Sequence, residues 1–145
     1  MNHIRRHKSW LVALLLAVWC LTLATPAKAN IRFFTNVMRN LQHYKVSGDL
    51  VQFNLEGSGT GNLTFHLTLP SRRNNFEEII MLGYLSAGYA IERTGLKVGT
   101  VYVTAIIPSA DNQMKITKAD AALIAQVISK QMDPHKFLGK IDWVN

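Results

Sequence analysis

Three histidines and a pair of neighbouring glutamates are the residues between positions 30 and 145 whose types could support chemistry. His43, His66 and His135 form no metal-binding spacing such as His-x3-His. Glu77 and Glu78 are adjacent, so on a helix their side chains point about 100° apart and cannot face each other as an acid–base pair. The sequence therefore predicts no metal site and no catalytic carboxylate pair.

The hydroxyl and thiol groups also form no recognisable catalytic arrangement. Gly57–Gly61 has the composition of a phosphate-binding loop, but it lacks the Lys-Ser/Thr ending and precedes a predicted strand instead of a helix. No serine lies in a Gly-x-Ser-x-Gly elbow, and the one cysteine, Cys20, lies in an apolar N-terminal segment. We therefore expect a protein with neither enzymatic activity nor a cofactor. The alternative is a hydrolase in which His66 or His135 works with a carboxylate from elsewhere in the chain.

The N-terminal segment has the three parts of a secretory signal. Residues 1–8 are basic, residues 9–24 carry no charge, and Ala27 and Ala29 form the small-x-small pattern of a cleavage site before Asn30. The apolar run of about 15 residues is short for a bilayer span, which needs about 20. We therefore expect cleavage after Ala29.

Two domain assignments follow from this cleavage site: residues 1–29 are a signal peptide, and residues 30–145 are one exported domain, periplasmic or secreted. The domain would contain no cysteine and hence no disulfide. The alternative is an uncleaved segment that anchors the domain at the inner membrane, because the basic residues flank the inner side of the apolar run.

The basic character of the chain resides largely in the signal. The whole chain has 16 basic and 9 acidic residues, a formal charge of +7, whereas residues 30–145 keep 12 basic and all 9 acidic residues, a charge of +3. The remaining Lys and Arg are scattered, and only Arg72 and Arg73 are adjacent. A nucleic-acid surface needs a basic cluster, so we expect no nucleic-acid partner. Membrane contact is expected only through an uncleaved N-terminus.

Hydropathy patterning of the first half predicts a helix and then a β-hairpin. Apolar residues of segment 31–44 recur at helical spacing: Phe34, Val37, Met38, Leu41 and Tyr44. Residues 45–56 and 63–69 alternate between apolar and polar side chains, and the glycine-rich segment between them predicts a turn.

The second half predicts a central helix, a strand and a last helix. Asn75 resembles a helix cap and Gly95 a helix terminator, with an almost wholly apolar segment between them. Residues 98–107 predict a third strand. Thr117 predicts the start of a helix that ends at Asp133-Pro134.

The central helix also carries the small residues Gly83, Ala87 and Gly88. Small residues let another backbone come close, and we expect this face to pack on the domain's own sheet. The alternative is contact with a second copy of the chain, which would make a homo-oligomer.

These elements predict an α+β single domain of order α-β-β-α-β-α. Its three-stranded, mainly antiparallel sheet packs against helices, with a short fourth strand as an alternative for the C-terminal tail around residues 141–144. Because the first two strands alternate, their second face is polar and can meet water.

That polar hairpin face is the candidate contact surface for a partner. It consists of Gln52, Asn54, Thr64, His66 and Thr68. The sequence favours a small exported module that binds a protein or an envelope component through this face. The alternative is a subunit of a cell-envelope assembly held by an uncleaved N-terminal helix.

Overall fold

The structure, a computed structural model, describes residues 25–46, 51–57, 62–108 and 113–144, with side chains from Lys28 onward. The helices are α1 (Thr25–His43), α2 (Phe76–Thr94), α3 (Ala121–Ile128) and α4 (Pro134–Leu138). The strands are β1 (Gln52–Glu56), β2 (Leu63–Pro70), β3 (Val98–Ile107), β4 (Gln113–Asp120) and β5 (Asp142–Val144). None of the four described helices is long and apolar enough to cross a membrane.

The five strands form one mixed sheet in the order β1-β2-β3-β4-β5. The central pair, β2 and β3, is parallel because α2 carries the chain back along the sheet between them, and the other three pairs are antiparallel. The described residues therefore form an α+β single domain, as predicted, with the element order α-β-β-α-β-β-α-α-β.

The helices pack on one face of the sheet and form the core with it. Alternate residues of β2 and β3 are buried there: Phe65, Leu67, Leu69, Val101, Val103 and Ala105. Phe33 of α1 meets Phe65 edge to face with 4.8 Å between ring centroids. Such aromatic pairs add to the burial of apolar area, so α1 is firmly attached to the sheet.

The predicted packing of the small residues of α2 on the sheet is confirmed for Gly83, whereas Gly88 packs on a helix, α3. A Cβ atom at Gly83 would lie 2.8 Å from Val103 Cγ1, and one at Gly88 would lie 2.7 Å from Ile124 Cγ2. The two glycines therefore fit against β3 and α3 of the same chain. Gly95 has a φ of 66° and ends α2, as predicted, because glycine tolerates the left-handed region.

The prediction of three strands is wrong, because residues 113–120 form β4 and the C-terminal tail adds β5. Thr117 was predicted to start a helix, but it lies inside β4, fully buried and opposite Val103. The buried positions of β4 are Thr117 and Ala119, so this strand shows no clear alternation of large apolar and polar residues. The C-terminal strand, weighed as an alternative, is present.

The segment predicted as the last helix forms two helices, α3 and α4, in the structure. α3 ends at Ile128, and Lys130 then adopts a φ of 60°, which a continuing helix does not allow. Asp133 begins α4 instead of ending a helix: its side chain accepts a hydrogen bond from the His135 backbone N–H at 2.9 Å.

Asn75 does precede α2, as predicted, but its side chain does not cap the helix. It instead accepts a hydrogen bond from the Arg72 N–H at 2.7 Å. Residues 1–24 of the predicted signal and residues 58–61 of the predicted turn lie outside the described residues. The predicted cleavage point, Ala29–Asn30, lies within α1.

Candidate functional site: the open face of the sheet

The second face of the sheet carries none of the described helices, and we call it the open face. Strand alternation places on it the residues between the buried positions, all of them half-buried or exposed. The open face consists of Gln52, Asn54, Glu56, Thr64, His66, Thr68, Pro70, Thr100, Tyr102, Thr104, Ile106, Met114, Ile116, Lys118, Asp120, Asp142 and Val144.

The five residues predicted to contact a partner lie together on this face. Gln52 is opposite Thr68, and Asn54 is opposite His66, with Thr64 one position along β2 on the same face. The strand register thus gathers them at the β1–β2 side of the open face. That they contact a partner stays a prediction.

His66 lies at the centre of a compact polar cluster. Its imidazole stacks on the Tyr102 ring at 4.7 Å with an angle of 7° between the planes. Its Nε2 is 3.4 Å from Glu56 Oε2, and the Glu56 Oε1 accepts a hydrogen bond from Asn54 Nδ2 at 3.0 Å. Three strands therefore hold one imidazole in a fixed orientation beside a carboxylate.

This cluster brings a histidine and a carboxylate together, as the hydrolase alternative requires. Such a reaction also needs a nucleophile within about 2.6–3.2 Å of the imidazole. In the part of the chain that the structure describes, His66 Nε2 is buried and has no hydrogen-bond partner. The described part of this cluster is a stacked pair of rings beside a carboxylate.

The other two histidines that the structure describes lie away from the open face. His135 is exposed on α4, which packs on the helix side through Phe137, and His43 ends α1 with its ring against Tyr44. Among the described residues, no group of three or more histidine, cysteine or acidic side chains could hold a metal ion.

One end of the open face is apolar. Ile106 is opposite Pro70 on one side and Met114 on the other, and Ile116 is opposite Val144. We call these five residues the apolar end. Met114 and Val144 are 61% and 42% exposed, although both are hydrophobic.

The charged residues of the open face are mostly acidic. Of its described residues, Glu56, Asp120 and Asp142 are acidic and only Lys118, which lies opposite Asp142, is basic. The domain as a whole carries a formal charge of +3. The open face is therefore acidic on a domain whose other surfaces are basic.

A buried hydrogen-bond chain under the sheet fixes the strands that carry Tyr102 and Lys118. The Tyr84 hydroxyl of α2 donates to Thr117 Oγ1 at 2.9 Å, and Thr117 Oγ1 donates to the Val103 carbonyl at 3.0 Å. Burial raises the pKa of Tyr84 well above its usual value, and the Thr117 hydrogen bond offsets part of that effect. The hydroxyl is therefore neutral and works as a donor between α2 and β4.

Sequence reasoning found only the β1–β2 half of this face. It missed Tyr102, Lys118 and Asp142, together with the apolar end. Met114 and Ile116 alternate with Lys115 and Thr117, but the pattern reverses at Lys118 and Ala119, so no clear local signal indicated β4.

Comparison with known proteins finds no relative for this chain. No family model matches it, and no curated protein or solved structure is significantly similar.

Proposed function

We propose that this protein is an exported, non-enzymatic module that binds another protein or an envelope component through the open face of its sheet. The observation that carries the proposal is the apolar end, where Met114 and Val144 are exposed beside half-buried Ile106 and Ile116. Contiguous exposed apolar surface on a small domain marks an interaction site, because leaving it in water is unfavourable.

The rigidity of the open face supports the same proposal. Its side chains project from a five-stranded sheet whose other face is packed against helices, and the stacked His66 and Tyr102 rings occupy its centre. A preorganised surface loses less conformational entropy on binding than a mobile loop does.

Export is proposed from the N-terminal residues. The basic start, the uncharged apolar run and the pattern Ala27-Lys28-Ala29 together make a secretory signal. Cleavage would leave a helix α1 that begins near Asn30 and keeps Phe33, the residue that attaches it to β2.

We expect the protein recovered from fractionated cells to begin at Asn30 and to lie in the soluble exported fraction. Intact mass and N-terminal sequencing measure this directly. A variant with Ala29→Leu serves as the control, because a bulky residue at the cleavage site should leave the longer form. A wild-type protein that keeps residues 1–29 and stays in the membrane fraction would favour the anchored subunit of an envelope assembly instead.

We expect the open face to cross-link to a partner in living cells. A photo-cross-linking amino acid at Thr68 should give a discrete product, whereas the same amino acid at Ile31, which is 64% exposed on α1, should not. Adding His66→Ala should reduce that product roughly tenfold by removing the ring that stacks on Tyr102.

Thermal unfolding of the cross-linking variants controls for damage to the fold. The melting temperature should stay within a few degrees of the wild-type value, because Thr68 and His66 lie outside the core. Equal cross-linking from Thr68 and Ile31, or an undiminished product with His66→Ala, would remove the open face from consideration.

A further inference from the structure

We infer that the segment bound by the open face is a basic amphipathic polypeptide, with apolar side chains seated on the apolar end and flanking Lys or Arg side chains beside the carboxylates. This inference rests on the proposed function and names the chemistry of its partner.

The apolar part of the proposed binding surface is the apolar end of the open face. Ile106, Met114, Ile116 and Val144 belong to three neighbouring strands and lie in adjacent register positions. Strands are about 4.8 Å apart and same-face neighbours along a strand are about 7 Å apart, so these side chains form one continuous surface. An apolar side chain of a partner can cover several of them at once.

The charge contribution comes from acidic residues on the rest of the open face. Asp142 is two residues from Val144 on the same face of β5 and lies opposite Lys118, whereas Glu56 and Asp120 lie at the opposite end of the open face from Met114. Only Lys118 opposes them among the described residues of this face. A cationic partner is therefore attracted, and opposite charges across an interface raise the association rate and fix orientation.

The same charges argue against the other partners that an exposed apolar surface could serve. Carboxylates repel the phosphates of nucleic acids and the headgroups of anionic lipids. A polypeptide that displays apolar side chains flanked by Lys or Arg satisfies both parts of the face. The face is about 20 Å in each direction, which accommodates a helix of about 13 residues.

The first probe is a fluorescently labelled helical peptide of leucine and lysine, about 13 residues long, with leucine on one face. Its control is a peptide of the same pattern with glutamate in place of lysine. Fluorescence anisotropy with the purified full protein should show binding of the lysine peptide, weaker at high salt, and at least roughly tenfold weaker binding of the glutamate peptide.

Paired variants locate the binding on the open face. Glu56→Lys and Asp142→Lys should each weaken binding of the lysine peptide roughly fivefold, whereas Glu92→Lys, the same charge change on exposed α2, should leave it unchanged. Met114→Ser should weaken binding by a similar factor, whereas Ile31→Ser, which removes a comparably exposed apolar side chain from α1, should not.

The outcomes separate this inference from the function on which it rests. Equal binding of both peptides, equal losses from the open-face and α2 variants, or preferential binding of anionic lipid vesicles would overturn the basic-polypeptide partner. If the lysine peptide fails to bind while Thr68 still cross-links in cells, only the partner chemistry is wrong. If Thr68 fails to cross-link as well, the proposed function fails with it.

Discussion

Replacing Gly83 with leucine is expected to lower the free energy of unfolding by about 3 kcal/mol or more. Gly83 lies at the middle of α2, where a Cβ would already be 2.8 Å from Val103 Cγ1 and 3.1 Å from Leu69 Cδ1. Val103 is fully buried and its β-branched side chain has little rotamer freedom, so it cannot move aside. The larger side chain must push α2 away from β2 and β3.

Chemical denaturation of Gly83→Leu measures this loss, and Glu92→Leu on the exposed side of α2 is the matched control. In the double variant, Val103→Ala should make room for the leucine and recover part of the lost free energy of unfolding. The coupling energy between the two substitutions should be about 0.5–3 kcal/mol. A Gly83→Leu protein within about 0.5 kcal/mol of the wild type would mean that α2 does not pack as closely as described.

Replacing Thr117 with valine is expected to cost about 2–3 kcal/mol of stability, although the two side chains have nearly the same shape. Valine leaves the Tyr84 hydroxyl buried without its acceptor and removes the hydrogen bond to the Val103 carbonyl. The loss should appear in denaturant unfolding at neutral pH. Removing the hydroxyl as well, in Tyr84→Phe with Thr117→Val, should cost less than the sum of the two single variants.

Alkaline unfolding tests the same hydroxyl independently. Because burial raises the pKa of folded Tyr84, the unfolded chain releases this proton near the ordinary tyrosine pKa of 10.0 while the folded protein keeps it. The stabilisation that this group contributes is thus complete below pH 10 and falls as the pH rises above it. As the pH rises above 10, Tyr84→Phe should lose less stability than the wild type does. An equal loss in both proteins would show that the hydroxyl is not shielded from water.

The elements that depend on local signals were predictable from the sequence. The alternation of apolar and polar residues predicted β1 and β2, the β-branched residues predicted β3, and Gly95 predicted the end of α2. Each of these signals lies within or directly beside the element that it predicts. β4 was not predictable in the same way. One of its two buried residues is Thr117, a polar residue whose hydroxyl is hydrogen-bonded by Tyr84, 33 residues away in sequence.

Some residues of the candidate site were also predictable from local patterns, and others were not. Gln52, Asn54, Thr64, His66 and Thr68 share a face because two adjacent strands form a hairpin. The stacking of His66 on Tyr102 depends on the parallel register between β2 and β3. The apolar end depends on that register and also on the pairing of β4 with β5. Register across a crossover helix is set by tertiary packing, so no short sequence pattern reports it.

The sequential strand order has a consequence for how the domain folds. Every strand pairs with its neighbour in the chain, so no strand must insert between two that are already paired. Contacts of modest sequence separation favour rapid folding, and a chain that becomes available from its N-terminus onward can add one strand at a time. Asp142 and Val144 belong to β5, the last strand in this order, so the acidic and apolar parts of the open face are complete only when this strand has paired with β4.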